Sequence, residues 1–294
     1  MGREASNPSG IMKRFGAVRS IAAAALLIAF CFALSTEAAG LKWEKDYKTA
    51  KARAGAEGRI VMVDFWAAWC TFCDKLDQTT YKDPGVVRRL SLTAVSVKVN
   101  TEGRADEQEL AAEHGVEGLP TIGFFTPEGR AVARIEGYVD AAAFLKLLTT
   151  AEVEGGDMLA WEKTLKTDPK NFAALYGLGS KMYELNYHDD ARPLLERARR
   201  NDKGALRERK RVRMMLARII ETQSSLVDSE TMLREGLALP KEPDIDPRLQ
   251  ILLARCLAGL GKRTEAKAEL TRLIAAYPAH PVTKTAKKTL EELR

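Results

Sequence analysis

The chain has 294 residues, enough for two ordinary domains and more than one small core needs. With 46% apolar and 7% aromatic residues it is globular sequence, which excludes a disordered chain. A formal net charge of +6 permits acidic partners without requiring them.

Residues 1–39 read as an export leader. Arg3, Lys13, Arg14 and Arg19 precede the uncharged run 20-SIAAAALLIAFCFALST-36, with small residues at Thr36, Ala38 and Ala39. Its most apolar part, Ile21 to Leu34, is 14 residues, whereas a membrane span takes about 20. The expectation is a signal peptide cleaved near Ala38, with a retained N-terminal membrane anchor as the alternative. Phe30 before Cys31 argues against a lipoprotein. On either reading the rest of the chain works outside the cytosol, in a periplasm or another exported location.

Residues 42–57 then read as an amphipathic helix ending at Gly58. The nearly continuous apolar run 60-IVMVDFW-66 has the composition of a central strand buried on both faces, with Asp64 as an anomaly inside it. A helix is expected from the pair Cys70 and Cys73 to about Tyr81, with a break at Pro84. Next come the strand 94-AVSVKVN-100, a helix over about 106–114, and the break 118-GLPT-121. The runs 121-TIGFF-125 and 131-AVARIEG-137 pair through the turn 126-TPEGR-130. The segment 140-DAAAFLKLL-148 reads as a further helix. Strands alternating with helices predict an α/β sheet covered on both faces and finished by an antiparallel hairpin.

From about residue 157 the strand signals stop and a helical pattern repeats. The positions 178-LG-179, Ala191 and Leu195 recur as 216-LA-217, Ser229 and Leu233, and again as 253-LA-254, Ala266 and Leu270. Pro169, Pro240 and Pro278 close units. This register resembles the tetratricopeptide repeat, a helix pair whose small residues let the two helices approach. Three units are expected, with the half-unit 157-DMLAWEKTLKTDP-169 before them and a capping helix, 282-VTKTAKKTLEEL-293, after them. A plain helical bundle is the alternative. The expected division is 1–39 leader, 40–152 α/β domain and 153–294 helical repeat domain.

The leader takes Cys31 with it, and Cys256 lies in the apolar helical pattern 251-ILLARCLAGL-260, where a free thiol packs like a small hydrophobe. Cys70 and Cys73 remain. A metal site takes about four ligands, and one cysteine pair with three scattered histidines does not supply them, so neither metal nor cofactor is expected. A structural disulfide closing so small a ring restrains the unfolded chain little. Redox exchange fits better: unpaired amides and the dipole at a helix start stabilise a thiolate on Cys70, and Cys73 follows within reach. Asp64 then has a use, since a carboxylate beneath the pair could take the Cys73 proton.

The stretches 61-VMVDFWAAWCTFCDKLDQTTYKDPGV-86, 118-GLPTIGFFTPEGR-130 and 137-GYVDAAAF-144 resemble a thioredoxin-fold domain, and more narrowly the C-terminal periplasmic domain of DsbD-type thiol:disulfide interchange proteins. The resemblance implies a mixed sheet flanked by helices over about residues 42–149. It implies that Cys70 is a solvent-facing nucleophile, Cys73 a buried resolving thiol and the two a redox disulfide. Asp64 matches the buried acid. Asp77 stands where the subfamily carries a second acidic residue, one methylene longer. Trp69 matches the bordering aromatic, and Leu119, Pro120 and Thr121 match a cis-proline loop that binds an extended substrate.

The expected function is an exported thiol–disulfide oxidoreductase that reduces protein disulfides. Its expected partners are disulfide-bearing proteins, an upstream thiol electron donor and a protein docked on the repeats. Nucleic acid is not expected, and a membrane only if the leader is retained. An oxidase or isomerase using the same residues, and a repeat scaffold with a secondary redox domain, are the competing readings. The basic cluster 197-RARRNDKGALRERKRVR-213 makes an acidic surface one target.

Overall fold

The computed structural model describes residues 1–2, 40–223 and 225–293, and the chain divides into the units Met1–Lys42 and Trp43–Arg294. The expected leader, with Cys31, lies outside the described residues apart from its first two positions. All the elements below belong to the second unit.

A two-residue strand β1 (Trp43–Glu44) precedes helix α1 (Tyr47–Glu57), so the chain before residue 47 is not helical as expected. Asp46 sets that boundary: its carboxylate accepts the Thr49 amide at 2.6 Å, which satisfies an orphan donor of the first turn. At the other end Gly58 takes φ 64°, a left-handed cap that glycine adopts without steric cost. Strand β2 (Ile60–Trp66) follows, then α2 (Thr71–Gln78), a 3-10 turn over Thr80–Lys82, α3 (Pro84–Thr93) and β3 (Ala94–Asn100). Helix α4 (Ala105–Glu113) leads to the hairpin β4 (Thr121–Phe125) and β5 (Ala131–Glu136).

The chain does break before Pro84, where Asp83 is extended, but the helix that Pro84 opens, α3, was not expected. Proline at the first helical position gives up only an amide that has no helical partner anyway. Asp83 caps this helix, accepting from Gly85 and Val86 at 2.9 and 3.0 Å.

The five strands run in the order β1-β3-β2-β4-β5, parallel among the first three and antiparallel from β2 to β5. This is the expected mixed sheet with a terminal hairpin. Val61, Val63 and Phe65 of β2 and Val95, Val97 and Val99 of β3 pack with Ala50, Ala54, Leu110 and Ala111 from α1 and α4. Alternation along the strands therefore turns Met62, Asp64, Ser96 and Lys98 to the opposite face.

Helix α5 (Ala141–Thr167) covers that second face and then runs on as one 27-residue helix. The sequence reading placed a helix over 140–148 and a separate half-unit from 157. Gly155 explains the continuity: a Cβ there would stand 2.6 Å from Ile60 Cγ2, so glycine is needed for close approach rather than for a turn. Beyond it, buried Glu162 accepts from Thr126 Oγ1 at 2.8 Å and Arg130 Nη1 at 2.7 Å, fastening the helix to the β4–β5 turn.

The remaining chain is helical: α6 (Phe172–Glu184), α7 (His188–Asn201), α8 (Leu206–Gln223), α9 (Leu226–Ala238), α10 (Asp246–Gly259), α11 (Arg263–Ala276) and α12 (Val282–Glu292). They pack pairwise, α6 on α7, α8 on α9 and α10 on α11, with α12 against the last pair. The small residues do the expected work: a Cβ on Gly179 would lie 3.0 Å from Leu195 Cγ, and Ala217, Ser229, Ala254 and Ala266 are buried. Cys256 is buried, its thiol donating to the Leu226 carbonyl at 3.0 Å.

Candidate active site

Strand β2 leads straight into the cysteine turn. The Cys70 amide closes that turn on the Ala67 carbonyl at 3.0 Å, and Cys70 becomes the N-cap of α2. Its sulfur accepts the Cys73 amide at 3.1 Å, one of the donors that a helix start leaves unpaired. Cys70 and Cys73 are joined as a disulfide. The first sulfur is not solvent-facing as expected: Cys70 is only 4% exposed. In this oxidised state it is turned inward, toward its bonded partner and the Cys73 amide. The exposed groups flanking it are aromatic, Trp69 at 65% and Phe72 at 57%. Trp69 Nε1 donates to Glu102 Oε1 at 2.7 Å, and Phe72 stacks on Tyr138 with ring centres 6.4 Å apart. Lys75 Nζ lies 4.1 Å from the Tyr138 ring centre.

The cis-proline turn emerges at the same end of the sheet. Phe65 of β2 faces Thr121 of β4, and the Leu119–Pro120 bond that precedes Thr121 is cis. The Pro120 carbonyl accepts the Gly137 amide at 2.8 Å. Thr121 is buried and its hydroxyl donates to the Gly118 carbonyl at 2.7 Å, so its side chain is not presented to a substrate. Gly118 is exposed and Leu119 half-buried, whereas Pro120 is buried.

Beneath the cysteine helix lies the polar cluster that the sequence reading found only in part. Asp64 is 0% exposed. Lys98, its register partner on β3, places Nζ 3.2 Å from Asp64 Oδ2, an ion pair off the line of a hydrogen bond, so that neither Asp64 oxygen accepts one. Lys98 instead donates to Asp77 Oδ2 at 2.6 Å. Asp77 and Cys73 are four residues apart on α2 and share a face. Lys98 thus ties the buried carboxylate to the side of α2 that carries the inner cysteine. The Trp43 and Trp66 rings flank its ammonium at 5.1 and 5.5 Å.

Burial pushes the Asp64 carboxyl up to about 6, against the pull of the Lys98 charge and with a small further push from Asp77. Tyr81, buried with no partner for its hydroxyl, is also raised, first by burial and then by the Asp64 charge. The arrangement keeps near neutrality a carboxyl that can hold or release one proton. Lys98 was missed by the sequence reading, yet its signal equals that of Asp64: a charge inside the apolar run 94-AVSVKVN-100. A cavity of about 310 Å³ lined by Phe65, Gly123, Phe125, Ala133 and Tyr187 sits on the other face of the sheet, away from the cysteines. Among the described residues no group of three His, Cys, Asp or Glu side chains could hold a metal ion.

Residues 47–152 match the family model described as a thioredoxin-like domain. The thiol:disulfide interchange protein DsbD of Yersinia pestis (strain Pestoides F) is 38% identical over 97 residues, which cover 32% of this chain and 16% of that protein. Among solved structures, a thioredoxin from Thermus thermophilus is 37% identical, covering 40% of this chain and 91% of that one, at a TM-score of 0.37. The oxidised C-terminal domain of Neisseria meningitidis DsbD is 22% identical, covering 37% of this chain and 99% of that one, at 0.32. The fold assignment rests on the strand order, the cysteine and cis-proline turns and the family-model match. Residues 47–152 of this chain form a thioredoxin-like α/β domain, which a helix-rich region follows.

Proposed function

We propose that the chain is a protein thiol–disulfide oxidoreductase, that residues 40–152 carry out the exchange and that residues 153–294 dock a protein partner on tetratricopeptide-like repeats. One observation carries the reading: the Cys70–Cys73 pair opens a helix whose inner face is tied, through Lys98, to a buried carboxyl with a pKa near neutrality. In the reductive direction, a Cys70 thiolate attacks a substrate disulfide. A Cys70–substrate disulfide forms and one substrate sulfur leaves as thiolate. Asp64, as carboxylate, takes the Cys73 proton, and the Cys73 sulfur attacks Cys70. The protein disulfide forms, the second substrate sulfur leaves, and two electrons have passed to the substrate. Leu119 beside the cis bond offers an extended substrate its backbone, with Trp69 and Phe72 as apolar walls.

The disulfide form is the end state of that cycle, so return to the dithiol takes a thiol reductant, which we assign to an upstream donor. Among the described residues no helix is long and apolar enough to cross a membrane. We place the work outside the cytosol, with the leader cleaved near Ala38 or kept as an anchor. Equilibration of the pair with glutathione tests the direction. A potential near about −270 mV supports reduction, and one near about −120 mV supports the oxidase reading instead. Failure of the wild-type dithiol to reduce insulin faster than Cys70→Ser would falsify the activity itself.

A further inference from the structure

Many arginines of the helical region are ion-paired: Arg192 with Glu196, Arg199 with Glu235, Arg209 and Arg213 with Asp202, and Arg234 with Glu230. Of those with no acidic partner among the described residues, Arg197 donates to the Pro169 carbonyl and Arg263 opens α11. Arg211 and Arg218 on α8, and Arg248 and Arg255 on α10, have no acidic partner among the described residues, although Arg207 beside them reaches Asp244 at 3.4 Å. Arg218, Arg248 and Arg255 are exposed, and half-buried Arg211 stands 6.0 Å from the Tyr176 ring.

Their positions follow the repeat. Seven residues separate the two arginines of each helix, and 37 separate each from its counterpart, the offset that carries Leu216–Ala217 onto Leu253–Ala254. In the first unit, 38 residues earlier, the same positions hold Ala173 and Ser180, so the cationic face is confined to units two and three. A solvated charge run has no reason to respect that register. The two helices are also locked together: Lys210 of α8, 0% exposed, is ion-paired with Asp246 at the start of α10, whose other oxygen accepts the Glu242 amide at 3.0 Å.

Seven helical residues rise about 10 Å. Residues three apart on an extended chain are separated by about the same distance. Each guanidinium presents a planar fork that matches a carboxylate with two parallel hydrogen bonds. Nucleic acid carries a phosphate every 3.4 Å or so along a strand, a charge density that four arginines at this spacing do not match. We propose that the Arg211, Arg218, Arg248 and Arg255 face docks an acidic, extended polypeptide segment of a partner protein. The proposal deepens the docking role given above to the helical region and does not depend on the thiol chemistry.

The test is fluorescence anisotropy of a labelled Gly-Ser peptide carrying Glu at every third position, titrated with the full chain at low salt. Saturable binding is expected, weakened at least about tenfold in the fourfold Arg→Gln variant at these positions. A control with Lys45, Lys48, Arg88 and Lys146 changed to Gln loses the same charge elsewhere and should stay within about threefold of wild type. Should the fourfold variant fold poorly, Arg248→Glu with Arg255→Glu, both on the exposed face, should lose the Glu peptide and gain a Lys version of it. Cys70→Ser should bind like wild type, which separates this result from failure of the redox reading. Absence of wild-type binding, equal losses in variant and control, or tighter binding of oligothymidylate or anionic phospholipid vesicles would overturn the proposal.

Discussion

Lys98 with Asp64 in the sheet, and Lys210 with Asp246 in the helical region, are both ammonium–carboxylate pairs withdrawn from water, and they differ in what completes them. Asp246 receives a direct bond from Lys210 on one oxygen and a backbone amide on the other. Asp64 receives neither: its lysine donates to Asp77 instead, and both its oxygens go without a hydrogen bond. A buried ion pair with every oxygen satisfied holds elements in place, whereas an under-satisfied carboxyl is one whose charge is easily lost. The first behaves as a fastener and the second as a proton-handling group.

The largest expected effect belongs to the fastener. Lys210→Met leaves Asp246 buried without its cation and should cost about 3–5 kcal/mol in urea unfolding, with the exchange rate of the folded protein unchanged. A loss below about 1 kcal/mol would dissolve the contrast.

Asp64 should show itself through pH. Its folded pKa, about 6, lies above the ordinary 3.8, so its contribution is present below pH 4 and is lost as pH rises to 6. Stability of the oxidised protein should fall by about 3 kcal/mol across that window, and Asp64→Asn should flatten the profile. The same variant should slow the resolving step about a hundredfold. In the wild type that step should accelerate through pH 6 as the carboxylate forms. Lys98→Met removes the charge that holds this carboxyl down and should move the acceleration to higher pH. A stopped-flow profile insensitive to both substitutions would remove Asp64 from the chemistry.

The two neighbouring glycines of α5 give the smallest pair of effects. Gly155→Ala pushes a methyl against Ile60 and should destabilise by about 1–3 kcal/mol. Nothing lies within 4 Å of a Cβ on Gly156, so Gly156→Ala should stabilise by up to about 1 kcal/mol through helix propensity. Calorimetry of both variants checks whether α5 is one packed helix.

What could be read from the sequence was whatever a single run of residues declares. Cys70, Cys73 and Asp64 stood out because each breaks the pattern around it, and the repeat register placed all three helix pairs. Lys98 broke its own strand just as visibly, but only the pairing of β2 with β3 shows that it faces Asp64. Pro84 was read only as a break, so the helix it opens was missed, and no local signal joined the 140–148 segment to the half-unit from 157. Asp83 and Ile60, one adjacent and one far away, decide the two cases. The burial of Cys70 in the disulfide form is a matter of three-dimensional packing, which the spacing of the pair alone does not declare.

The claim that Cys70 attacks and Cys73 resolves is tested most directly by trapping. Cys73→Ser, reduced and mixed with insulin, should accumulate a covalent adduct through Cys70 that dithiothreitol releases, while Cys70→Ser accumulates none. An adduct-free Cys73→Ser, or equal capture by both variants, would contradict the account.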